Sequence, residues 1–259
     1  MTEAPERDGT TGYGVRFLGH ATVVLDLPPI RVVTDPFLRP GLGPLRRHGP
    51  VPLPGSIGPV DHVLLSHAHP DHFDAGSLRS LPGDPLVIAP RGLGGRIRRL
   101  GLRAREVAVG ETVVLAPGWT VTTLRARHWR WPIAPAATTV GYLIEGPATG
   151  GINFAGDTSR FAGQRTLRGR VELALLPIAS WGPHLAPGHL SPRTAAEVAR
   201  EIDARIVVPI HWGTLYPSRL ERVAPGPLHD PPVRFARFAA ERCPGLDVRI
   251  LRPGEATRV

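Results

Sequence analysis

The segment that most constrains this chain is SHAHPDH at residues 66–72, which places three histidines and one aspartate within six positions. It follows a short apolar run, DHVLLS at 61–66, which predicts a buried strand. The residues behind it, HFDAGSLRSL at 72–81, have the pattern of a helix. A single histidine would fit an ordinary core or surface position. The combination, in a loop between a strand and a helix, indicates a functional site.

Imidazole and carboxylate groups together indicate the chemistry of a metal site, because they are ligands of Zn²⁺ and also suit Mn²⁺ or Fe. In a tight turn, His67 and His69 can point to one position, while Asp71 and His72 can point to a second. Two metal ions, about 3.5–4 Å apart in dinuclear sites, would then share this loop. Four ligands cannot saturate two ions, so the hypothesis requires further ligands downstream.

Three candidates for these ligands stand at the ends of predicted strands: His128 after TVTTLRAR, Asp157 after INFAG and His211 after IVVPI. Two zinc ions sharing a water molecule would lower its pKa toward neutrality and produce a bridging hydroxide as nucleophile. They would also stabilise the charge that develops on an ester or phosphoryl oxygen. The chain has no Gly-x-Ser-x-Gly elbow that would supply a serine nucleophile instead.

Strand patterns dominate both halves of the chain, with helical patterns between and after them, which predicts two packed sheets with helices outside. The segment 37–60 is rich in Pro and Gly and too long for a simple connection, so we expect a lid or binding loop. We predict a flexible tail over residues 1–12 and a single domain over 13–259. Helices are predicted at 91–105, 191–203 and 231–243, and a final strand at 246–255.

The charge of the chain is carried by arginine alone, with 31 basic residues, no lysine and a formal net charge of +9. This charge favours phosphate-bearing partners, although a general composition bias toward Arg and Pro is the preferred explanation of it. The single cysteine, Cys243, excludes a disulfide within the chain and suits a reducing compartment. Because we find neither an apolar signal region nor an apolar run of about 18 residues, we expect a cytoplasmic protein without a transmembrane segment.

In their order along the chain, SHAHPDH, His128, GDTS and PIHWG resemble the metal motifs of the metallo-β-lactamase-fold hydrolases. Within that superfamily the sequence is most similar to the N-acylphosphatidylethanolamine-hydrolysing phospholipase D group, which shares GHAT, TDP, GDT, LLPI and IHWGT. The ascorbate-6-phosphate lactonase group is similar at several of the same places. The resemblance implies an α/β (α+β) fold: a four-layered αββα sandwich of two mixed sheets flanked by helices, with the metals at one edge.

The resemblance also implies how seven residues divide between two Zn²⁺ ions. Three histidines would hold one ion, an aspartate and two histidines the other, and a second aspartate would bridge both, with the two aspartates as the predicted catalytic residues. In that order the residues are His67, His69 and His128, then Asp71, His72 and His211, then Asp157.

Two residues near the start of the chain are candidates for a supporting role. Asp35 in TDP is predicted to orient a ligating histidine, or else to form the turn before Pro36. His20 in GHAT is predicted either at the edge of the site or in the packing of the first strand pair.

Other candidates lie in loops that should approach the metals. His189 is a candidate substrate contact because the phospholipase-like group has a histidine at the matching place, although a surface position fits it also. Trp129, Trp131 and Trp181 would form an apolar wall for the substrate or serve as core anchors. Arg46 and Arg47 would contact a phosphate or lie in a solvated loop.

These observations leave several functions open. The leading hypothesis is hydrolysis of a phosphodiester in a small or lipid-like substrate, in the manner of a phospholipase D. The same metals would serve a lactonase or another carboxylic-ester hydrolase, because attack on a carbonyl needs the same groups. A nuclease is less favoured, since the chain carries no appended nucleic-acid-binding module. A non-catalytic metal-binding sensor is also less favoured, since all seven ligand positions are filled.

Overall fold

Two sheets with seven strands each form the centre of the molecule. The structure, a computed structural model, describes residues 12–128, 138–147 and 149–259. The first sheet contains β1 (Gly14–Gly19), β2 (Thr22–Leu27), β3 (Ile30–Thr34), β6 (His62–Leu64), β7 (Leu86–Pro90), β8 (Arg103–Val107) and β17 (Ala256–Arg258). The second contains β9 (Thr112–Ala116), β10 (Trp119–Arg125), β11 (Val140–Gly146), β12 (Thr149–Phe154), β13 (Val171–Pro177), β14 (Ile206–Ile210) and β16 (Asp247–Val248).

Both sheets are mixed, which confirms the predicted architecture. In the first sheet β1, β2 and β3 pair antiparallel, whereas β3, β6, β7 and β8 pair parallel. In the second, β9 to β12 pair antiparallel, whereas β12, β13, β14 and β16 pair parallel. Since the carboxyl ends of parallel strands lie at one edge of a sheet, each sheet presents a row of strand-to-loop junctions there.

Alternation of side chains along the strands produces three apolar layers. On β11, Tyr142 and Ile144 face the first sheet and join the central core, while Leu143 faces outward. The outward layer of the second sheet packs against α3 (Pro192–Ile202) and also includes residues of α4 (Gly226–Arg242). The outward layer of the first sheet packs against α1 (Ala75–Ser80) and α2 (Gly94–Arg99). The result is the four-layered αββα sandwich expected from the sequence.

Three predicted elements were wrong in their extent. The helix expected at 91–105 is only α2, because Gly101 adopts a φ of 80° and the chain then continues as strand β8. The strand expected at 246–255 is limited to β16, and the chain then passes through irregular backbone and a turn at Gly254 with a φ of 99° before it pairs again in β17. The last helix begins at Gly226, five residues earlier than predicted.

The segment 37–60 contains local structure: β4 (Gly41–Leu42), β5 (Leu45–Arg47) and a 3₁₀ turn at Pro54–Ile57. β5 pairs with β15 (Leu215–Pro217), which follows the strand end that carries His211. The expected phosphate contact or solvated position of Arg47 was wrong. Its buried guanidinium donates hydrogen bonds to the carbonyls of Leu18, Phe37 and Arg39, and burial lowers the pKa of Arg47 to about 10.

Two further 3₁₀ turns complete the described elements, at Ala162–Leu167 and Leu220–Arg222. No helix in the described ranges is long and apolar enough to cross a membrane. Residues 1–11, and therefore nearly all of the predicted tail, lie outside the described part of the chain.

Candidate metal centre

The candidate site lies where the strands of both sheets end. The loop 66–72 follows β6, and a tight turn closes it, with the backbone N–H groups of His72 and Phe73 both donating to the His69 carbonyl. Asp74 then caps α1 by accepting a hydrogen bond from the Ser77 N–H. The downstream histidines and aspartate follow the ends of β10, β12 and β14. The fold therefore brings side chains that are far apart in sequence to one edge, such as those of His67 and His211, which are 144 residues apart.

One group consists of His67, His69, His128 and Asp157, whose candidate ligand atoms all lie within 4.8 Å of one another. His128 Nε2 lies 3.2 Å from His69 Nδ1, and His67 Nε2 lies 3.8 Å from Asp157 Oδ2. His67 Nε2 is buried and has no hydrogen-bond partner among the described residues. A buried nitrogen without a partner would be costly in a merely structural cluster, so its setting fits a metal ligand.

A second group consists of His20, Asp71, His72 and His211, whose ligand atoms also lie within 4.8 Å. Asp71 Oδ2 lies 2.9 Å from His20 Nε2 and 3.5 Å from His72 Nε2. The Nε2 atoms of His72 and His211 are 3.3 Å apart. This group contains the three residues that the sequence assigned to the second ion, together with His20.

Asp157 lies between the two groups and contacts histidines of both. Its Oδ2 is 3.2 Å from His72 Nε2 and 3.8 Å from His67 Nε2, while its Oδ1 is 3.2 Å from His211 Nε2. The same Oδ2 lies 3.1 Å from His189 Nε2. The Asp157 carboxylate therefore connects the two groups.

In two of the histidines, neighbouring groups lie within hydrogen-bond distance of the ring nitrogen that points away from the centre, Nδ1. Asp35 Oδ2 lies 2.6 Å from His72 Nδ1, and Asp35 Oδ1 accepts a hydrogen bond of 2.7 Å from the Ser66 N–H. His128 Nδ1 lies 3.0 Å from the Gly188 carbonyl. A hydrogen bond at Nδ1 fixes the ring orientation and tautomer, which leaves Nε2 free to bind a metal.

Three of these residues have unusual backbone conformations. His20, Asp35 and His211 have φ values of 57°, 32° and 62°, in a region that non-glycine residues rarely adopt. Hydrogen bonds hold two of them: the His211 N–H donates to the His20 carbonyl at 2.7 Å, and the His20 N–H donates to Thr214 Oγ1 at 2.7 Å. Strained backbone of this kind is concentrated at functional sites.

Burial and charge set the protonation of the cluster. Burial lowers the pKa of His20 to about 3 and that of His128 to about 4, which favours the neutral imidazole. Burial also opposes ionisation of Asp157, but His211 and His72 outweigh it and hold the pKa of Asp157 well below its usual range. For His72, burial lowers the pKa, but Asp157, Asp71 and Asp35 together raise it well above its usual value.

The chemistry of these groups fits the ligation of a transition metal. Ionised carboxylates and mostly neutral imidazoles are the protonation states that ligation requires, and binding would release the proton that the aspartates hold on His72. The mixture of imidazole nitrogen and carboxylate oxygen suits Zn²⁺, Mn²⁺ or Fe.

The structure brings two histidines closer to the centre than the sequence suggested. His20 contacts Asp71, and its ring centroid lies 3.9 Å from that of His211. The His189 side chain is only 7% exposed and contacts Asp157. Both approach from loops remote in sequence from the main cluster, so no local spacing signals them. The GHAT motif and the matching histidine of the similar group were the available signals.

The predicted tryptophan wall is described only in part. Trp181 is 43% exposed and lines a small depression together with His20 and His211. Trp129 and Trp131 lie outside the described residues. Trp212 stacks on Phe17, with ring centroids 6.3 Å apart, in the packing between the sheets.

The chain belongs to the beta-lactamase superfamily domain family, which matches residues 30–212. A UPF0173 metal-dependent hydrolase of Thermus thermophilus is 30% identical over 254 residues, covering 95% of this chain and 98% of the relative. The protein is thus a metal-dependent hydrolase of the metallo-β-lactamase superfamily, which confirms the sequence-based assignment at that level.

Solved structures agree on the fold. A possible metal-dependent hydrolase from Veillonella parvula has a TM-score of 0.75 at 15% identity, covering 96% of this chain and 100% of that one. Igni18, a metallo hydrolase from Ignicoccus hospitalis, has a TM-score of 0.72 at 18% identity, covering 96% and 99%. At these identities the similarity establishes the architecture alone.

Proposed function

We propose that this protein is a dinuclear zinc hydrolase that cleaves phosphodiesters, including those of phospholipids, in the manner of a phospholipase D. The observation that carries the proposal is the position of Asp157, whose carboxylate contacts His67 of one group and His72 and His211 of the other. A carboxylate between two clusters of imidazoles is the arrangement that a two-metal site requires.

The residues that would hold the metals are those that the sequence assigned. One ion would be held by His67, His69 and His128, the other by Asp71, His72 and His211, with Asp157 shared. Zinc bound there would lower the pKa of a coordinated water molecule to near 7 and polarise a substrate oxygen. Asp35 would keep His72 oriented, and His20 would do the same for Asp71.

His189 is our proposed substrate contact. Its Nδ1 lies 3.1 Å from the Ala186 carbonyl, which orients the ring so that Nε2 points at the centre. Burial lowers the pKa of His189, but Asp157 raises it above its usual value, which favours the imidazolium with a proton on both nitrogens. The Nε2–H of that imidazolium can donate a hydrogen bond to an anionic oxygen of the substrate or of the leaving group. Trp181, exposed at the same edge, would contact an apolar part of the substrate.

The preference for a phosphodiester is supported by the charge of the protein and by the sequence likeness. A net charge of +9 draws anionic substrates toward the surface. A lactonase or carboxylic-ester hydrolase is the alternative, because the metal-holding residues would be the same. A cytoplasmic location is also part of our proposal, supported by the single cysteine in 259 residues.

A substrate panel with the zinc-loaded protein tests the proposal. We expect turnover of bis(p-nitrophenyl) phosphate and of a phosphatidylethanolamine, with little turnover of γ-lactones or p-nitrophenyl acetate. Asp157→Ala should abolish the activity, whereas the control Asp84→Ala, at an exposed carboxylate that pairs with Arg103, should retain it. Lactone turnover without phosphodiester turnover would establish the alternative instead.

A further inference from the structure

The segment that carries Asp157 has little regular structure of its own. It leaves β12 at Phe154 and reaches the 3₁₀ turn Ala162–Leu167 without helix or strand. The position of the Asp157 carboxylate therefore depends on contacts that anchor this segment to its surroundings. Metal ligation tolerates errors of only a few tenths of an ångström, so those anchors matter for the site.

One anchor is a cluster of charged side chains between this segment and helix α3. Arg160 forms a two-pronged contact with Glu201, with Nη2–Oε1 at 2.6 Å and Nε–Oε2 at 3.2 Å. Arg165, in the 3₁₀ turn, donates to the same Oε1 at 2.8 Å. Glu197 adds a further contact to Arg160 at 3.3 Å. Two-pronged arginine–carboxylate contacts fix geometry as well as adding energy.

Glu201 is unusual because its residue is only 8% exposed. A glutamate that is almost fully buried is normally paired, and here two arginines from the Asp157 segment provide the pairing. Removing the carboxylate would leave Arg160 with only its contact to Glu197 and would break the contact of Arg165, so the segment would lose its two-pronged connection to α3. The hydrogen bonds of Thr158 and Ser159 to Arg127 would remain as the other anchor.

Helix α3 also begins close to His189, a second residue that contacts Asp157. Ser191, its N-cap, accepts a hydrogen bond from the Thr194 N–H and follows His189 by two residues. His189 contacts Asp157 at 3.1 Å. The chain thus closes a ring of contacts that runs from Asp157 to Arg160, through Glu201 along α3, and back through His189 to Asp157.

We propose that Glu201 is a positioning residue that holds Asp157 in the metal centre by acting through Arg160 and Arg165. This inference rests on the proposed role of Asp157 as a shared ligand. It assigns to α3 the task of setting the distance between Asp157 and His189, in addition to its packing on the second sheet.

The test is the isosteric change Glu201→Gln, with zinc stoichiometry and affinity measured by competition with a chromogenic chelator. We expect the affinity to fall by up to about 10-fold, the lower end of the range for groups that hydrogen-bond a metal ligand directly, because Glu201 acts through Arg160 and Arg165. Glu241→Gln is the matched control, because Glu241 forms an exposed pair with Arg237 at 3.9 Å on another helix. That variant should bind zinc as the wild type does.

A second variant keeps the inference testable if Glu201→Gln folds poorly. Arg160→Lys retains the charge but loses the two-pronged contact, so it should weaken zinc binding with a smaller change in Tm. A lower Tm with wild-type zinc affinity in both variants would overturn the inference and assign the cluster to stability alone. Failure of this inference can be distinguished from failure of the proposed two-metal site, because in the second case the wild type itself would bind fewer than two ions.

Discussion

Replacing Asp35 by Asn would test how the site is supported, because it removes one charge without changing shape. Asp35 is fully buried and accepts from the Ser66 N–H at 2.7 Å, while its other oxygen lies 2.6 Å from His72 Nδ1. In the Asp35→Asn variant, the new amide would retain its carbonyl oxygen for Ser66 and present an N–H₂ group to His72. Two donors would then face each other, unless His72 moved its proton to Nε2 and ceased to be a ligand.

The size of the effect follows from that one contact. A hydrogen bond to a charged group contributes about 1.5–3 kcal/mol, and about 1.4 kcal/mol corresponds to a factor of ten in affinity. We therefore expect zinc affinity to fall by about 10- to 150-fold, mainly at the ion that His72 would hold. Chelator competition at pH 7 would measure this loss.

Asp74→Asn provides a closely matched control. Asp74 is also buried and accepts from a serine N–H and hydroxyl, both of Ser77, but it caps a helix and has no histidine contact. Asparagine is nearly as good as aspartate at an N-cap, so this variant should bind zinc normally. Wild-type affinity in Asp35→Asn as well would refute the role of Asp35 in orienting His72.

Three further predictions concern the substrate contact, the core and the charged anchor. His189→Ala should lower kcat/KM by about 100-fold or more while two metals remain bound, and loss of a metal instead would make it a ligand. Leu175→Ala, at a fully buried position between the sheets, should cost about 2–5 kcal/mol in urea unfolding, and a cost below about 1 kcal/mol would contradict the packing. Hydrogen bonds from Arg160 hold the pKa of Glu201 at about 2, so the stabilisation by its charge is complete above pH 4.5 and is lost as pH falls toward 2. The stability difference between the wild type and Glu201→Gln, measured in EDTA, should shrink over that window, and a constant difference would contradict this assignment.

The sequence was most informative about the candidate metal ligands that follow the ends of strands. The cluster at 66–72 and the positions of His128, Asp157 and His211 share one context, an apolar or β-branched run with a histidine or aspartate within a few residues of its end. Because parallel strands end at the same edge, that context is enough to predict that these residues meet. The two mixed sheets followed from the same strand runs.

Contacts between remote segments could not be predicted in the same way. His20 and His189 reach the centre from loops whose path depends on packing, and nothing in their neighbouring residues specifies that path. The burial of Arg47 depends on three carbonyls from other segments. The helix expected at 91–105 was extended too far because the apolar spacing was followed through Gly101, where the backbone leaves the helix.

The central claim, that one carboxylate serves two metal ions, is tested most directly by elemental analysis of the purified, zinc-supplemented protein. Asp157 contacts imidazoles of both groups, so we predict two transition-metal ions per chain. A value of one ion or none, in protein shown to be folded by its cooperative unfolding transition, would contradict the account.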